Sequence, residues 1–155
     1  SRHLRTGIQQ RRRFPGIVVR ELENAMTAGR ILVVEDEPGL LRILVRYLTR
    51  LGYEAVAASC GRDAIAAFDA TQAGFAAVLA DLSLPDMRGE DLVVRLRKSN
   101  PAIAVLLTSG SPSALESLPL LGEARVASLA KPFTAKMLAD AIGRLLERAN
   151  PPQPI

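Results

Sequence analysis

From residue 30 onward, short apolar runs alternate with longer stretches in which apolar residues recur every three or four positions. A continuous or alternating apolar run suits a strand, and a period near 3.6 suits a helix with one buried face. Strands are predicted at Ile31–Glu35, Glu54–Ala57, Ala76–Ala80, Ile103–Thr108 and Val126–Ala130. The first, third and fourth are almost continuously apolar, as strands covered on both faces are, which places them centrally in a parallel sheet.

Helices fill the gaps. The first opens at Pro38, carries Leu40, Leu41, Leu44, Tyr47, Leu48 and Leu51 at three- and four-residue steps, and stops at Gly52. Others are predicted near Arg62–Ala73, Gly89–Ser99 and Thr134–Ala149, the last with Met137, Leu138, Ala141, Ile142 and Leu145 on one face. Between the fourth and fifth strands, Pro119 and Gly122 limit any helix to about two turns, Ser113–Leu118. A short helix is expected around Val19–Met26, and Pro151–Ile155 should fray. The chain thus divides into a basic leader, 1–29, one α/β domain, 30–149, and a tail, 150–155.

Charge sharpens that division. Residues 1–30 hold seven arginines against Glu21 and Glu23, while residues 31–155 carry 13 basic and 14 acidic groups. The leader's Arg11-Arg12-Arg13 cluster belongs to no recognisable binding module, so it reads as a solvated linker and nucleic acid is disfavoured as a partner. No apolar run is long enough for a membrane span and no signal peptide opens the chain, so the expected location is cytoplasmic. One cysteine, Cys60, and one histidine, His3, remove the parts that disulfide frameworks, zinc fingers, metalloproteases and Ser-His-Asp hydrolases need.

In a parallel α/β sheet all strand-to-helix loops emerge at the carboxyl edge, where ligands bind at the point of strand-order reversal. The strands deliver Glu35-Asp36, Asp81, Thr108-Ser109-Gly110 and Lys131-Pro132 to that edge. Clustered carboxylates need a cation, and magnesium, which keeps open positions for water and phosphate oxygens, suits Asp36, Asp81 and a backbone carbonyl. Lys131 is then a fixed positive partner and Ser109 a hydrogen-bond donor, the parts of a phosphoryl-transfer site. Each feature alone has a bland reading as a polar strand end or a turn. Asp81 is hardest to dismiss, because an apolar strand ends on it just before a Pro/Gly loop.

Four pieces, ILVVEDEP from Ile31, DLSLP from Asp81 with Gly89, LTSG from Leu107 and KPF from Lys131, resemble the receiver domains of response regulators over residues 30–149. The resemblance implies a flavodoxin-like (CheY-like) doubly wound sheet in the order 2-1-3-4-5 with helices on both faces. It makes Asp81 the phosphoacceptor, supplied by a histidine kinase or phosphotransfer protein, and makes Ser109 the switch residue, with Thr108 the alternative. Magnesium would be held by Asp36 directly, Glu35 directly or through water, Asp81, and the backbone carbonyl of Ser83. Lys131 takes the place of the family's lysine, with a cis peptide before Pro132. Such a domain is a phosphoacceptor that promotes its own phosphorylation and dephosphorylation, not an enzyme with a separate substrate. It is expected to signal through protein contacts, with the oligomeric state left open between a monomer and a weak dimer.

Departures from the pattern are also visible. Ser128 stands where the family carries a rotating aromatic, so the response is expected to fall on the segment from Ser109 to Leu118 instead; Ala104 and Cys60 are neutral changes, and Met87 has no assigned chemistry. A phosphatase of the haloacid-dehalogenase type would need an Asp-x-Asp pair after the first strand, where this chain has Glu35-Asp36-Glu37. A receiver that only binds partners would have lost Asp81, Asp36 or Lys131. With Ser1 first and little after the fifth helix, the expected arrangements are a free-standing regulator or the C-terminal receiver of a hybrid histidine kinase.

Overall fold

The computed structural model describes residues 29–71 and 74–149. Five parallel strands, β1 (Arg30–Val34), β2 (Glu54–Ala58), β3 (Ala77–Asp81), β4 (Ala104–Ser109) and β5 (Val126–Ala130), form one sheet in the order β2-β1-β3-β4-β5. They alternate with helices α1 (Pro38–Arg50), α2 (Gly61–Ala70), α3 (Gly89–Ser99), α4 (Pro112–Glu116) and α5 (Ala135–Ala149).

Successive strand residues point to opposite faces, and each face has its own core. On one side Leu32, Val34, Val78, Val105 and Leu107 pack against α2, α3 and α4 through Ala64, Phe68, Leu92, Leu96 and Leu115. On the other, Ile31, Val33, Leu79 and Leu106 meet Leu44 and Leu48 of α1 and Leu138, Ile142 and Leu145 of α5. This double burial is why β1, β3 and β4 read as continuous apolar runs. Helix α1 ends where Gly52, at φ 94°, donates to the Thr49 carbonyl and Tyr53 to that of Leu48, a pairing that satisfies the orphan carbonyls of a helix end.

Several boundaries differ from the sequence-based expectation. Strand β1 begins and ends one residue earlier than expected, while β3 and β4 begin and end one residue later, because parallel pairing runs on through Asp81↔Thr108 and Ser109↔Ala130. Asp81 and Ser109 are therefore the last rungs of the ladder, and Glu35 lies just past β1. Helix α2 stops at Ala70 instead of Ala73, with Thr71 already extended and its amide bonded to the Phe68 carbonyl. Helix α4 covers Pro112–Glu116, shifted from Ser113–Leu118, and a 3-10 turn at Pro119–Gly122 follows it. The helix expected around Val19–Met26 lies outside the described residues.

Candidate functional site

The sheet order reverses between β1, whose neighbours are β2 and β3, and the strands beyond. Glu35 and Asp36 leave β1 beside the end of β3, so carboxylate oxygens of Glu35, Asp36 and Asp81 fall within 4.8 Å of one another. Asp36 is exposed, whereas Glu35 and Asp81 are 2% and 6% exposed. Two buried carboxylates at such range need compensation, and it comes from the loop after β5. Lys131 Nζ donates to Asp81 Oδ2 at 2.8 Å and to Glu35 Oε1 and Oε2 at 3.0 and 3.2 Å. Its backbone is tied to β4, with Lys131 N donating to the Ser109 carbonyl at 2.8 Å; the peptide bond to Pro132 is cis. The other oxygen of Asp81, Oδ1, accepts the Ser83 amide at 3.0 Å.

These contacts divide the charge unevenly. Burial pushes the Glu35 carboxyl up to about 7, with the neighbouring Asp81 adding to the rise and Lys131 opposing it. Burial also acts to raise Asp81, but its hydrogen bonds with Glu35, Lys131 and the Ser83 amide outweigh that and hold it below the usual carboxylate range. Burial acts to lower Lys131, and its bonds to Asp81 and Glu35 more than reverse this. Glu35 is thus pushed toward its neutral form and Asp81 toward its charged one. Three carboxylates against one ammonium leave room for a dication, and an all-oxygen donor set with one exposed member fits hard, partly hydrated magnesium.

Ser109, 5% exposed, ends β4, and its Oγ accepts the Ser111 amide at 3.0 Å. It lines a cavity of about 340 Å³ together with Ser83, Arg88 and Ser111. Thr108 is not among the lining residues of that cavity. Glu35, Asp36, Asp81, Ser83 and Lys131 are therefore brought together directly, and Ser109 borders them. Asp86 is not singled out by any sequence pattern, yet its carboxylate accepts the Gly61 and Arg62 amides at 2.8 and 2.9 Å. Only its place in the loop after Asp81 could have signalled this.

A family model described as "Response regulator receiver domain" matches residues 31–143. The chain belongs to this family. Among relatives of this receiver, the transcriptional regulatory protein TcrA of Mycobacterium tuberculosis is 33% identical over 125 residues, covering 81% of the receiver chain and 49% of TcrA. The sensor kinase CckA of Brucella abortus is 31% identical over 120 residues, covering 77% of this chain and 13% of the kinase. The chain thus spans about half or less of these relatives. A receiver domain protein from Clostridium thermocellum superposes with a TM-score of 0.70 at 27% identity, covering 77% of this chain and 94% of that one. Thermotoga maritima TrrA, solved in complex with Mg(2+)-BeF, gives 0.66 at 25% identity, covering 75% and 97%. The receiver is a signalling domain of two-component systems, and among its described residues no helix is long and apolar enough to cross a membrane.

Proposed function

We propose that Asp81 accepts the phosphoryl group of this receiver, from the phosphohistidine of a histidine kinase or a phosphotransfer protein, within a functional unit of residues 30–149. The observation that carries the reading is a buried carboxylate held ionised by Lys131 and the Ser83 amide at the reversal point of the sheet. An oxygen of Asp81 attacks phosphorus in line, a P–O bond forms as the P–N bond breaks, and the electron pair leaves with the donor imidazole, which takes a proton from solvent. Lys131, already at 2.8 Å from Asp81, is placed to neutralise a phosphoryl oxygen. Ser109 Oγ turns from the Ser111 amide to donate to another, which couples the chemistry to the residues after β4.

Asp36, Asp81 and the Ser83 carbonyl would hold magnesium, with Glu35 acting directly or through water. When bound, the ion neutralises charge on the transferred oxygens. TrrA, crystallised with Mg(2+)-BeF, supports this by its overall likeness. Water attack on the acyl phosphate would return Asp81 to its carboxylate, so the domain would catalyse its own loss of signal. Output through protein contacts, and a cytoplasmic location, complete the proposal. Incubation with acetyl phosphate and magnesium should add one phosphoryl mass to the wild type and none to Asp81→Asn. An equally labelled Asp81→Asn would move the acceptor elsewhere.

A further inference from the structure

The loop between Asp81 and α3 carries Ser83 and lies on the surface, with Ser83, Pro85, Asp86 and Arg88 exposed. Its near end is tied to the sheet: the Leu82 amide donates to the Thr108 carbonyl at 2.9 Å, and the Ser83 amide to Asp81 Oδ1. Its far end is tied at Gly89, whose amide donates to the Leu82 carbonyl at 2.9 Å. A Cβ at Gly89 would come within 2.5 Å of the Asp81 carbonyl oxygen, so α3 starts flush against the backbone of the site. Between these ends the loop is an arch, and Asp86 at its crown reaches across to a different element.

Asp86 Oδ1 accepts the Gly61 amide at 2.8 Å and Oδ2 the Arg62 amide at 2.9 Å. These are among the first amides of the ten-residue helix α2, which have no partner inside the helix and form its positive end. The residue in the N-cap position, Cys60, reaches only the third, with Sγ accepting the Asp63 amide at 3.4 Å. Asp86 supplies from a distant loop the caps that Cys60 does not. Those two amides, in turn, hold the Asp86 carboxyl below its ordinary range. Met87 completes the junction by lying over Gly61, where a Cβ would overlap its side chain.

We infer that Asp86 is a positioning residue: by fastening the loop to the start of α2 it fixes the Ser83 backbone, and so sets the affinity of the carboxylate cluster for magnesium and the rate at which Asp81 is phosphorylated. The inference rests on the reading of Asp81 and its metal given above. Ligating groups depend on outer partners for their orientation; Ser83 is paired with Arg88 across the base of the loop and with Asp81 through its amide, and releasing Asp86 at the crown would loosen that small hairpin and with it the Ser83 carbonyl.

The test is calorimetric titration of magnesium into the wild type, Asp86→Ala, Asp86→Asn and Asp63→Ala, with amide spectra of the metal-free proteins and labelling rates from acetyl phosphate. Asp86→Ala should weaken magnesium on the order of tenfold, slow labelling in step, and move the Ser83 amide resonance along with those of Gly61 and Arg62. Asp86→Asn keeps one acceptor oxygen and should lose less. Asp63→Ala removes another carboxylate from the first turn of the same helix without touching the loop, and should keep wild-type affinity whatever its effect on melting temperature. Wild-type affinity and labelling in Asp86→Ala, or an equal loss in Asp63→Ala, overturns the role of Asp86 alone. A wild-type protein that takes up neither magnesium nor label overturns the reading of Asp81, and this inference with it.

Discussion

Two neighbouring regions of this receiver are built in opposite ways. At the ends of β1 and β3, the buried Glu35 and Asp81 are both bonded to the half-buried Lys131 that follows β5, and β1 and β3 lie between covered faces. After β4, Ser111, Pro112, Ser113, Glu116 and Ser117 are exposed, α4 has five residues, and Leu115 is its one buried anchor. The 3-10 turn that follows has no buried residue, and it is tethered at its far side by the ion pair of Arg97 with Glu123. Ser109 joins the two regions. Chemistry that depends on fixed charge sits where many contacts agree, and the element free to respond sits where few do.

The largest expected effect tests whether the regions are energetically distinct. Leu106→Ala, at a fully buried position of β4, should cost about 2–5 kcal/mol in urea unfolding. It should leave the exchange of the Leu115–Leu118 amides nearly unchanged, because those open locally. Parallel acceleration in α4 and β4 would mean that both belong to one cooperative unit.

A smaller effect is expected from the switch. Beryllofluoride should shift amide resonances strongly from Ser109 through Leu118 and weakly at Ser128, which is exposed on β5 and too small to repack as an aromatic would. Ser109→Ala should keep Asp81 labelled and suppress the α4 shifts. Retained shifts in that mutant, or a Ser128 response as large as that of Ser113, would break the comparison at its hinge.

The smallest effect is electrostatic. Because the folded-state Glu35 carboxyl is raised to about 7, its contribution to metal-free stability is present below the ordinary glutamate range and lost as pH rises through about 7. Magnesium prefers the ionised cluster, so its affinity should climb over that same interval, and Glu35→Gln should flatten the climb. A pH-independent affinity in the wild type would remove Glu35 from the site.

Much of the rigid region was legible in the sequence and little of the loose one was. Continuous apolar runs identify β1, β3 and β4 because both faces of those strands are buried, and parallel topology then carries Lys131 to Glu35 across 96 positions. Strand ends slipped by a residue because side-chain pattern does not show where ladder hydrogen bonds stop, as Asp81↔Thr108 illustrates. The bounds of α4 escape the sequence pattern because five residues hold too little periodicity to set a register, and the four-residue turn at Pro119 holds less still. The tie from Asp86 to Gly61 joins a loop to a helix end, a meeting that no local pattern encodes.

The central claim is that phosphate attaches to the Asp81 carboxylate, and chemical mapping addresses it most directly. An acyl phosphate is reduced by borohydride to an alcohol, so labelled protein should yield, after proteolysis, one modified peptide in which the Asp81 side chain alone has become a primary alcohol. Reduction at Asp36 or Asp86 with Asp81 intact would contradict the account.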